Sequence, residues 1–475
     1  MARPMTRLAA AFALILALAP VPATAQDSLQ QRVESRLREA GPGTRFGLVV
    51  ATEDGREIVA IAPDERFIPA SNTKMFTTAA AFATLGDLDR PDTTGGAAVR
   101  LEPAGGSVPD VVLEGHGDAR LSSAPDCAAN CLAALADAVA ARTRRVRNII
   151  GDDGYFPNQR WSPGMSWNNI GTRSGTAVSA LSLDDNEVPL RVTPTAPGQP
   201  PTLALPFYFT VDNRAVTVAA GGATNLDFER MPNSMIVRLT GTIAMGAEPE
   251  LLRLGLDDPA HYAAWRLRTL LEARGVRVTG AVSVRHRSTE PAPRQEPLAN
   301  LVPPPLGEDL VVINKVSQNL HAELMLRRLG RVNGTGSIAD GIAVVRSMVE
   351  RAGLRRADYD FSDGSGMSTY NRVAPRGVVR FLRWAAAQPW GAAWRATLAV
   401  GGVDGTLARR FRGTALESRL FAKTGGLNAT AALSGYMIAR SGRTLTFSLY
   451  ANDIPDGASA TAAMDAALVL IAEQN

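Results

Sequence analysis

The sequence predicts an α/β layered domain assembled from both ends of the chain and interrupted by a long insertion. Three observations carry that expectation. Near one end, residues 46–51 and 57–61 read as two apolar strands joined by the turn Glu53-Asp54-Gly55. Near the other, residues 429–439 and 444–451 read as a second strand pair around Ser441-Gly442, followed by a helix over 458–472. Between them, from about 94 to 300, the chain turns rich in Gly, Pro and short alternating segments. Strands at both termini with helices between them make one layered sheet the simplest solution.

In chain order, residues 1–25 have the anatomy of a secretory signal. Arg3 and Arg7 precede an apolar run over 8–19, and Ala23-Thr24-Ala25 forms a small-residue cleavage site before Gln26. The run falls short of the roughly 20 residues that span a bilayer. No cysteine follows the cleavage site to carry a lipid, so the expectation is an exported chain with no transmembrane anchor once the leader is cleaved. Removing Arg3 and Arg7 leaves 48 basic against 46 acidic residues. That balance gives no drive toward nucleic acid or an anionic membrane. In an oxidising compartment Cys127 and Cys131, four residues apart, are expected to form a disulfide across a small loop or at a helix end.

Pro69-Ala70-Ser71 opens a helix that reaches about Leu85, with Gly86 as its stop. Pro-rich stretches at 194–206 and 291–305 mark crossings between inserted modules. A helix is predicted over 259–273, with Asp258 as its cap and Pro259 in its first position, and then a strand over 276–284. Residues 314–329 read as one amphipathic helix.

Only three of the 50 basic residues are lysines: Lys74, Lys315 and Lys423. Lys74 closes Ser71-Asn72-Thr73-Lys74, where helical spacing puts the hydroxyl and the amine on one face. Serine needs a base to become a nucleophile, and a lysine serves only when burial or nearby positive charge lowers its pKa. Lys423 opens Lys423-Thr424-Gly425-Gly426, in which a lysine and a hydroxyl on a glycine-flanked strand can hold a carboxylate. Lys315 precedes Ser317-Gln318-Asn319, in which the hydroxyl can pass a proton and the amide can hold a peptide group. A second Ser-x-Asn, Ser166-Trp167-Asn168, lacks the adjoining lysine, and Ser317 is preferred. By chance a chain with three lysines yields about 0.2 Ser-x-x-Lys and about 0.02 Lys-Thr-Gly motifs. Finding both, with a Ser-x-Asn between them, is on the order of a few in a thousand. With four histidines and two cysteines, no metal site and no cofactor are expected.

Ser-x-x-Lys, Ser-x-Asn and Lys-Thr-Gly in this order resemble the serine penicillin-recognising enzymes. The resemblance narrows to the D-alanyl-D-alanine carboxypeptidase/endopeptidase family, the class C low-molecular-mass penicillin-binding proteins. It rests on Ala70-Ser-Asn-Thr-Lys-Met-Phe, Gly151-Asp-Asp-Gly-Tyr-Phe, Val178-Ser-Ala-Leu-Ser-Leu-Asp-Asp-Asn186, Asp363-Gly-Ser-Gly-Met-Ser368 and Ala422-Lys-Thr-Gly-Gly-Leu-Asn428. It implies an α/β (α+β) penicillin-binding-protein/β-lactamase-like transpeptidase domain over 26–93 and 298–475. Inserted domain II would take 94–187 and 250–297, and a β-rich domain III would take 188–249. The implied roles are Ser71 as nucleophile, Lys74 as its base, and Ser317 with Lys315 or Lys423 as the proton route to the leaving D-alanine. Asn319 would hold the substrate amide, and Lys423 and Thr424 the terminal carboxylate. The N–H groups of Ser71 and Gly426 would form the oxyanion hole.

Two positions depart from the family pattern. Gly426 stands where the family usually has Thr, and Thr369 where it usually has an Arg that binds the free carboxylate of the stem side chain. Arg372 is the candidate substitute, and Asp152, ahead of Asp153, the candidate acidic partner. The implied partners are peptidoglycan stem peptides and cross-links and β-lactam antibiotics, in the periplasm, with a homo-oligomer left open. A β-lactamase or esterase would need a dedicated deacylation base, and none is legible in the sequence. A pure peptidoglycan-binding protein has no need of the intact Ser71, Lys74, Ser317, Asn319 and Lys423.

Overall fold

The computed structural model describes residues 28–287 and 296–475. The proposed leader and part of the second Pro-rich stretch lie outside the described residues.

A six-stranded antiparallel sheet joins the two ends of the chain. Its order is Ala399–Val400, Leu420–Leu427, Thr430–Ile438, Thr444–Asn452, Arg45–Thr52 and Glu57–Ile61. Both predicted strand pairs are in this sheet. Strand alternation sorts its side chains between two layers. Leu433, Met437, Phe447 and Leu449 face the helices Leu29–Arg38 and Thr461–Glu473, where Val33, Leu37, Met464 and Leu468 complete a buried cluster. Ala432, Tyr436 and Tyr450 face the opposite layer, with Met75, Phe76, Met325, Leu329, Phe381 and Trp394. At about 1.5–3 kcal/mol per large apolar side chain, these two cores hold the sheet between helices.

The insertion begins with a five-stranded sheet ordered Val282–Arg287, Ile149–Pro157, Asp110–Glu114, Ala98–Glu102 and Ala299–Asn300. The helices Leu132–Arg142 and Pro259–Ala273 pack with it. A three-stranded sheet (Glu187–Thr193, Thr202–Ala204, Glu250–Gly255) and a four-stranded one around Ile236–Ala244 complete the middle of the chain. Val188, Leu190, Val237 and Leu239 join one buried cluster with Leu113, Leu135, Ile149 and Leu267, so the inserted segments share a core. Helix Pro259–Ala273 has the predicted bounds, with the Asp258 carboxylate accepting from His261 N at 3.1 Å. The disulfide Cys127–Cys131 is formed, just before helix Leu132–Arg142.

Two expected elements are broken. The helix expected over 314–329 is two helices, Leu306–Lys315 and Asn319–Asn333. Ser317 between them takes φ +66°, which no α-helix admits, and the Gln318 side chain caps the second helix by accepting from Leu320 N at 3.0 Å. The strand expected over 276–284 is also split, into Arg277–Val278 and Val282–Arg287. Between them, Thr279 N and Gly280 N donate to the carbonyls of Val146 and Arg147 as the chain passes from one partner strand to the next. The Ser71 segment is a 3-10 turn, Ala70–Asn72, that runs into helix Thr73–Thr84.

Candidate active site

The turn Ala70–Asn72 places Ser71 where the six-stranded sheet meets the helical layer. Ala70 adopts φ +47°, an uncommon conformation for a residue with a side chain. Gly425 on the neighbouring strand lets the turn approach closely: a Cβ there would stand 2.6 Å from the Pro69 carbonyl oxygen. Asn72 secures the contact by donating its side-chain amide to the Lys423 carbonyl at 2.7 Å.

Lys74 is fully buried one helical turn from Ser71. Its Nζ lies 2.9 Å from Ser71 Oγ, 2.6 Å from Asn319 Oδ1 and 2.6 Å from the Ser365 carbonyl oxygen. As an ammonium, it has an acceptor for each of its three N–H groups. On losing a proton it keeps two donors for Asn319 and Ser365, and the freed lone pair faces the Ser71 hydroxyl. Burial pushes its pKa down to about 7, against the opposing charges of Asp363 and Glu323. The amine a general base needs is therefore populated near neutral pH.

Lys423 is also fully buried. Its Nζ donates to Ser317 Oγ and to the Thr424 carbonyl, each at 2.9 Å. Burial, then the charge of Lys74, holds it well below the ordinary lysine value. Of the two lysines considered for the proton route, Lys423 touches Ser317, whereas Lys315 forms an ion pair with Asp404. The left-handed backbone of Ser317 turns its hydroxyl to Lys423 and leaves Asn319 to reach Lys74. Thr424 Oγ1 donates to Thr406 Oγ1 at 2.8 Å. Gly426 is exposed, and no atom lies within 4 Å of where its Cβ would be.

The insertion reaches this group through Ser174 and Asp185. Asn319 Nδ2 donates to the Ser174 carbonyl at 2.9 Å. Two residues on, His321 Nε2 lies 2.9 Å from Asp185 Oδ1, and its Nδ1 lies 3.4 Å from Asp309. Burial disfavours the charged ring, but the hydrogen bond to Asp185 and the nearby Asp309 carboxylate outweigh it and hold His321 at about 9. Asp184, Asp185 and Asn186 are all left-handed, which turns the Asp185 carboxylate toward this helix.

Three residues absent from the predicted set support Lys74. The Ser365 carbonyl accepts from it, and Glu323 Oε1 accepts from Gly364 N at 3.0 Å and Ser365 N at 2.9 Å. Asp363 braces the same turn through Gly366 N at 2.9 Å and Ser368 N at 2.6 Å. Glu323 follows Asn319 by four residues on one helix, a spacing the sequence offered.

The structure does not bring Asp152 to the Ser71 group. Its partners are Gly154 N, Arg285 and, at 4.0 Å, Arg100, and burial raises its pKa. Asp153 instead accepts from Ser179 at 2.9 Å and pairs with His286. Thr369 donates to the Gly164 carbonyl, and Arg372 to the carbonyls of Thr369 and Asn371. The alternative Ser166 is bonded to Asn168 at 2.7 Å.

The pattern of the D-Ala-D-Ala carboxypeptidase 3 (S13) family matches residues 29–474. The chain belongs to that family. It is accordingly a serine-type D-Ala-D-Ala carboxypeptidase, a hydrolase of the penicillin-binding-protein group. The D-alanyl-D-alanine carboxypeptidase of Actinomadura sp. (strain R39) is 34% identical over 99% of this chain and 88% of its own. The D-alanyl-D-alanine carboxypeptidase DacB of Haemophilus influenzae is 23% identical over 87% of each. The crystal structure of penicillin binding protein 4 (dacB) from Haemophilus influenzae superposes with a TM-score of 0.78 at 21% identity, covering 91% of this peptidase and 98% of that chain. That protein complexed with a novel β-lactam gives 0.71. The expected fold, a penicillin-binding-protein transpeptidase domain carrying inserted modules, is the fold these matches share.

Proposed function

We propose that this peptidase works in the periplasm, removing terminal D-alanine from peptidoglycan stem peptides and opening D-alanyl-meso-diaminopimelate cross-links, and that β-lactams inhibit it by acylating Ser71. The observation that carries the reading is the pair of buried lysines, each 2.9 Å from a serine hydroxyl: Lys74 on Ser71 and Lys423 on Ser317. One pair activates a nucleophile and the other supplies a proton to a leaving group.

The steps follow from those contacts. Neutral Lys74 takes the Ser71 proton as Oγ attacks the carbonyl of the penultimate D-alanine. The oxyanion lies against the N–H groups of Ser71 and Gly426, in a setting where preorganised donors count most. The C–N bond breaks as the leaving amine takes a proton from the Ser317 hydroxyl, which Lys423, charged once the substrate carboxylate stands beside it, replenishes. Asn319 holds the substrate amide by exchanging its bond to the Ser174 carbonyl for one to substrate. Thr424, with Gly425 alongside, holds the terminal carboxylate near Lys423. Water then attacks the ester, its proton passing through Ser317 to Lys423, and as the C–O bond breaks Lys74 returns its proton to Ser71 Oγ. A β-lactam follows the same course, but its tethered amine stays in the cleft and blocks the water.

An exported, leader-cleaved chain is consistent with the leader anatomy, and no helix among the described residues is long and apolar enough to cross a membrane. With Thr369 spent on Gly164 and Arg372 on backbone carbonyls, neither holds the stem side-chain carboxylate as these residues stand. Asp152 serves that side chain only by exchanging Arg285 for it. In this reading the catalytic domain takes 26–93 and 298–475, domain II takes 94–187 and 250–297, and domain III takes 188–249, the last two meeting through their shared core.

The test is acylation by fluorescent penicillin, read on a denaturing gel, for the wild type and Ser71→Ala, beside D-alanine release from a pentapeptide and conversion of a cross-linked dimer into its two monomers. The expected result is a label and both activities in the wild type and none in the variant. Label retained by Ser71→Ala would move the nucleophile elsewhere. Pentapeptide cleavage without dimer cleavage would remove the endopeptidase half.

A further inference from the structure

Lys315, the lysine that does not reach Ser317, leads to a loop the sequence reading left without a role. Its ammonium pairs with Asp404 Oδ2, while Asp404 Oδ1 accepts from Val400 N at 2.9 Å. Gly405 follows with φ +54°, and a Cβ there would stand 2.5 Å from the Lys315 carbonyl oxygen. Only glycine lets the loop press this close to the segment that carries Ser317. The next residue, Thr406, is exposed and has its hydroxyl 2.8 Å from that of Thr424. Thr424 follows Lys423, whose Nζ is on Ser317. The loop thus rests at one end on the Ser317 segment and at the other on the Lys-Thr-Gly strand.

We propose that Thr406 is a positioning residue for carboxylate recognition, its hydroxyl orienting that of Thr424 toward the free carboxylate of an incoming acyl donor. The inference rests on the reading of Thr424 as a carboxylate ligand. A threonine hydroxyl has one proton to donate and lone pairs to accept with. With the cleft empty, Thr424 donates to Thr406. A carboxylate accepts only, so on its arrival the Thr424 proton turns to it, and Thr406 donates in turn to the Thr424 oxygen. The resulting line, Thr406 to Thr424 to carboxylate, polarises each bond in it. The Lys315–Asp404 pair and the seat of Gly405 hold Thr406 in place for that reversal. The ligand class is an acyl donor with a free acid, either a peptide ending in a D-amino acid or a β-lactam acid, favoured over its ester.

The experiment compares second-order acylation rates of the full chain by benzylpenicillin and by its methyl ester, in the wild type, Thr406→Val, Thr406→Ser and Thr424→Val. Thr406→Val is expected to lower the rate with the acid about five- to tenfold, the worth of one hydrogen bond, and to leave the ester within about twofold. Thr406→Ser is expected to restore the acid rate. Equal losses for acid and ester in Thr406→Val would make Thr406 merely structural and overturn the inference. An acid-selective loss in Thr424→Val with none in Thr406→Val would overturn it too, leaving Thr424 as the carboxylate ligand. No acid-selective loss in either variant would overturn both.

Discussion

Asn72 donates its side-chain amide to the Lys423 carbonyl at 2.7 Å, a bond between residues 351 apart in sequence that joins the Ser71 turn to the Lys-Thr-Gly strand. Both residues are fully buried. Asn72→Ala leaves that carbonyl without this donor, at a cost of about 1–3 kcal/mol. The expected outcome is a thermal midpoint lowered by a few degrees and a penicillin acylation rate lowered at least about tenfold, since small displacements of reacting groups cost heavily. A lowered midpoint with an unchanged rate would make the bond structural only.

Lys74 and Lys315 should part company on substitution. Lys74→Ala removes the group 2.9 Å from Ser71 Oγ and is expected to reduce acylation by about 100-fold or more, the usual scale for a general base. Lys315→Arg keeps a cation for Asp404 and should leave acylation within a few-fold of wild type. Rapid-mixing acylation rates of folded variants check this. Equal losses would mean the base is misassigned.

The pH dependence follows from the protonation of Lys74. Because the amine of Lys74 is the active form and burial sets its pKa at about 7, acylation should rise with pH, reach half its plateau near 7 and hold above it as long as Lys423 keeps the proton it supplies. Asp363 and then Glu323, whose own charge burial and Asp363 disfavour, oppose that lowering, so Glu323→Gln, which can still accept from Gly364 N and Ser365 N, should move the midpoint modestly to lower pH. The rate profiles of both proteins are the measurement, and a midpoint moved upward in Glu323→Gln would contradict the assigned coupling.

His321 gives a stability prediction with a definite sign. Its folded-state pKa of about 9 stands above the ordinary 6.5. The protonated ring therefore stabilises the fold fully below pH 6.5, and that contribution fades as pH rises through about 9. Thermal midpoints of wild type and His321→Gln should differ most at pH 6 and converge toward pH 10. A difference independent of pH would remove the ion pairs with Asp185 and Asp309 as the cause.

Much of this arrangement was legible because it is local. The strand Glu57–Ile61 and the helix Pro259–Ala273 carry their periodicity and caps in contiguous residues. Ser71 with Lys74, Ser317 with Asn319, and Lys423 with Thr424 are short motifs whose chemistry survives without a fold. The continuous helix through Ser317 was misread because apolar spacing ran across the break, and a single left-handed residue leaves no mark on periodicity. The choice between Lys315 and Lys423 depended on which strand crosses which turn, which spacing does not encode. Asn72 lay inside the nucleophile motif, yet its bond is to a backbone carbonyl far along the chain and has no signature in residue type. Asp152 pointed to chemistry by resemblance, while its neighbours Arg100 and Arg285 come from other strands of its sheet.

The seat of strand Arg45–Thr52, between Glu57–Ile61 and Thr444–Asn452, bears on how the protein is made. The ribosome finishes the early strand long before its later neighbour exists, and Ile68 must wait for Asn452, 384 residues on, to receive its 2.7 Å bond. Until then the nucleophile turn has no Lys423 carbonyl to tether it, and Lys74 lacks the burial that depresses its pKa. An emerging chain thus carries an inert serine, and the hydrolase becomes competent only after its closing strands arrive.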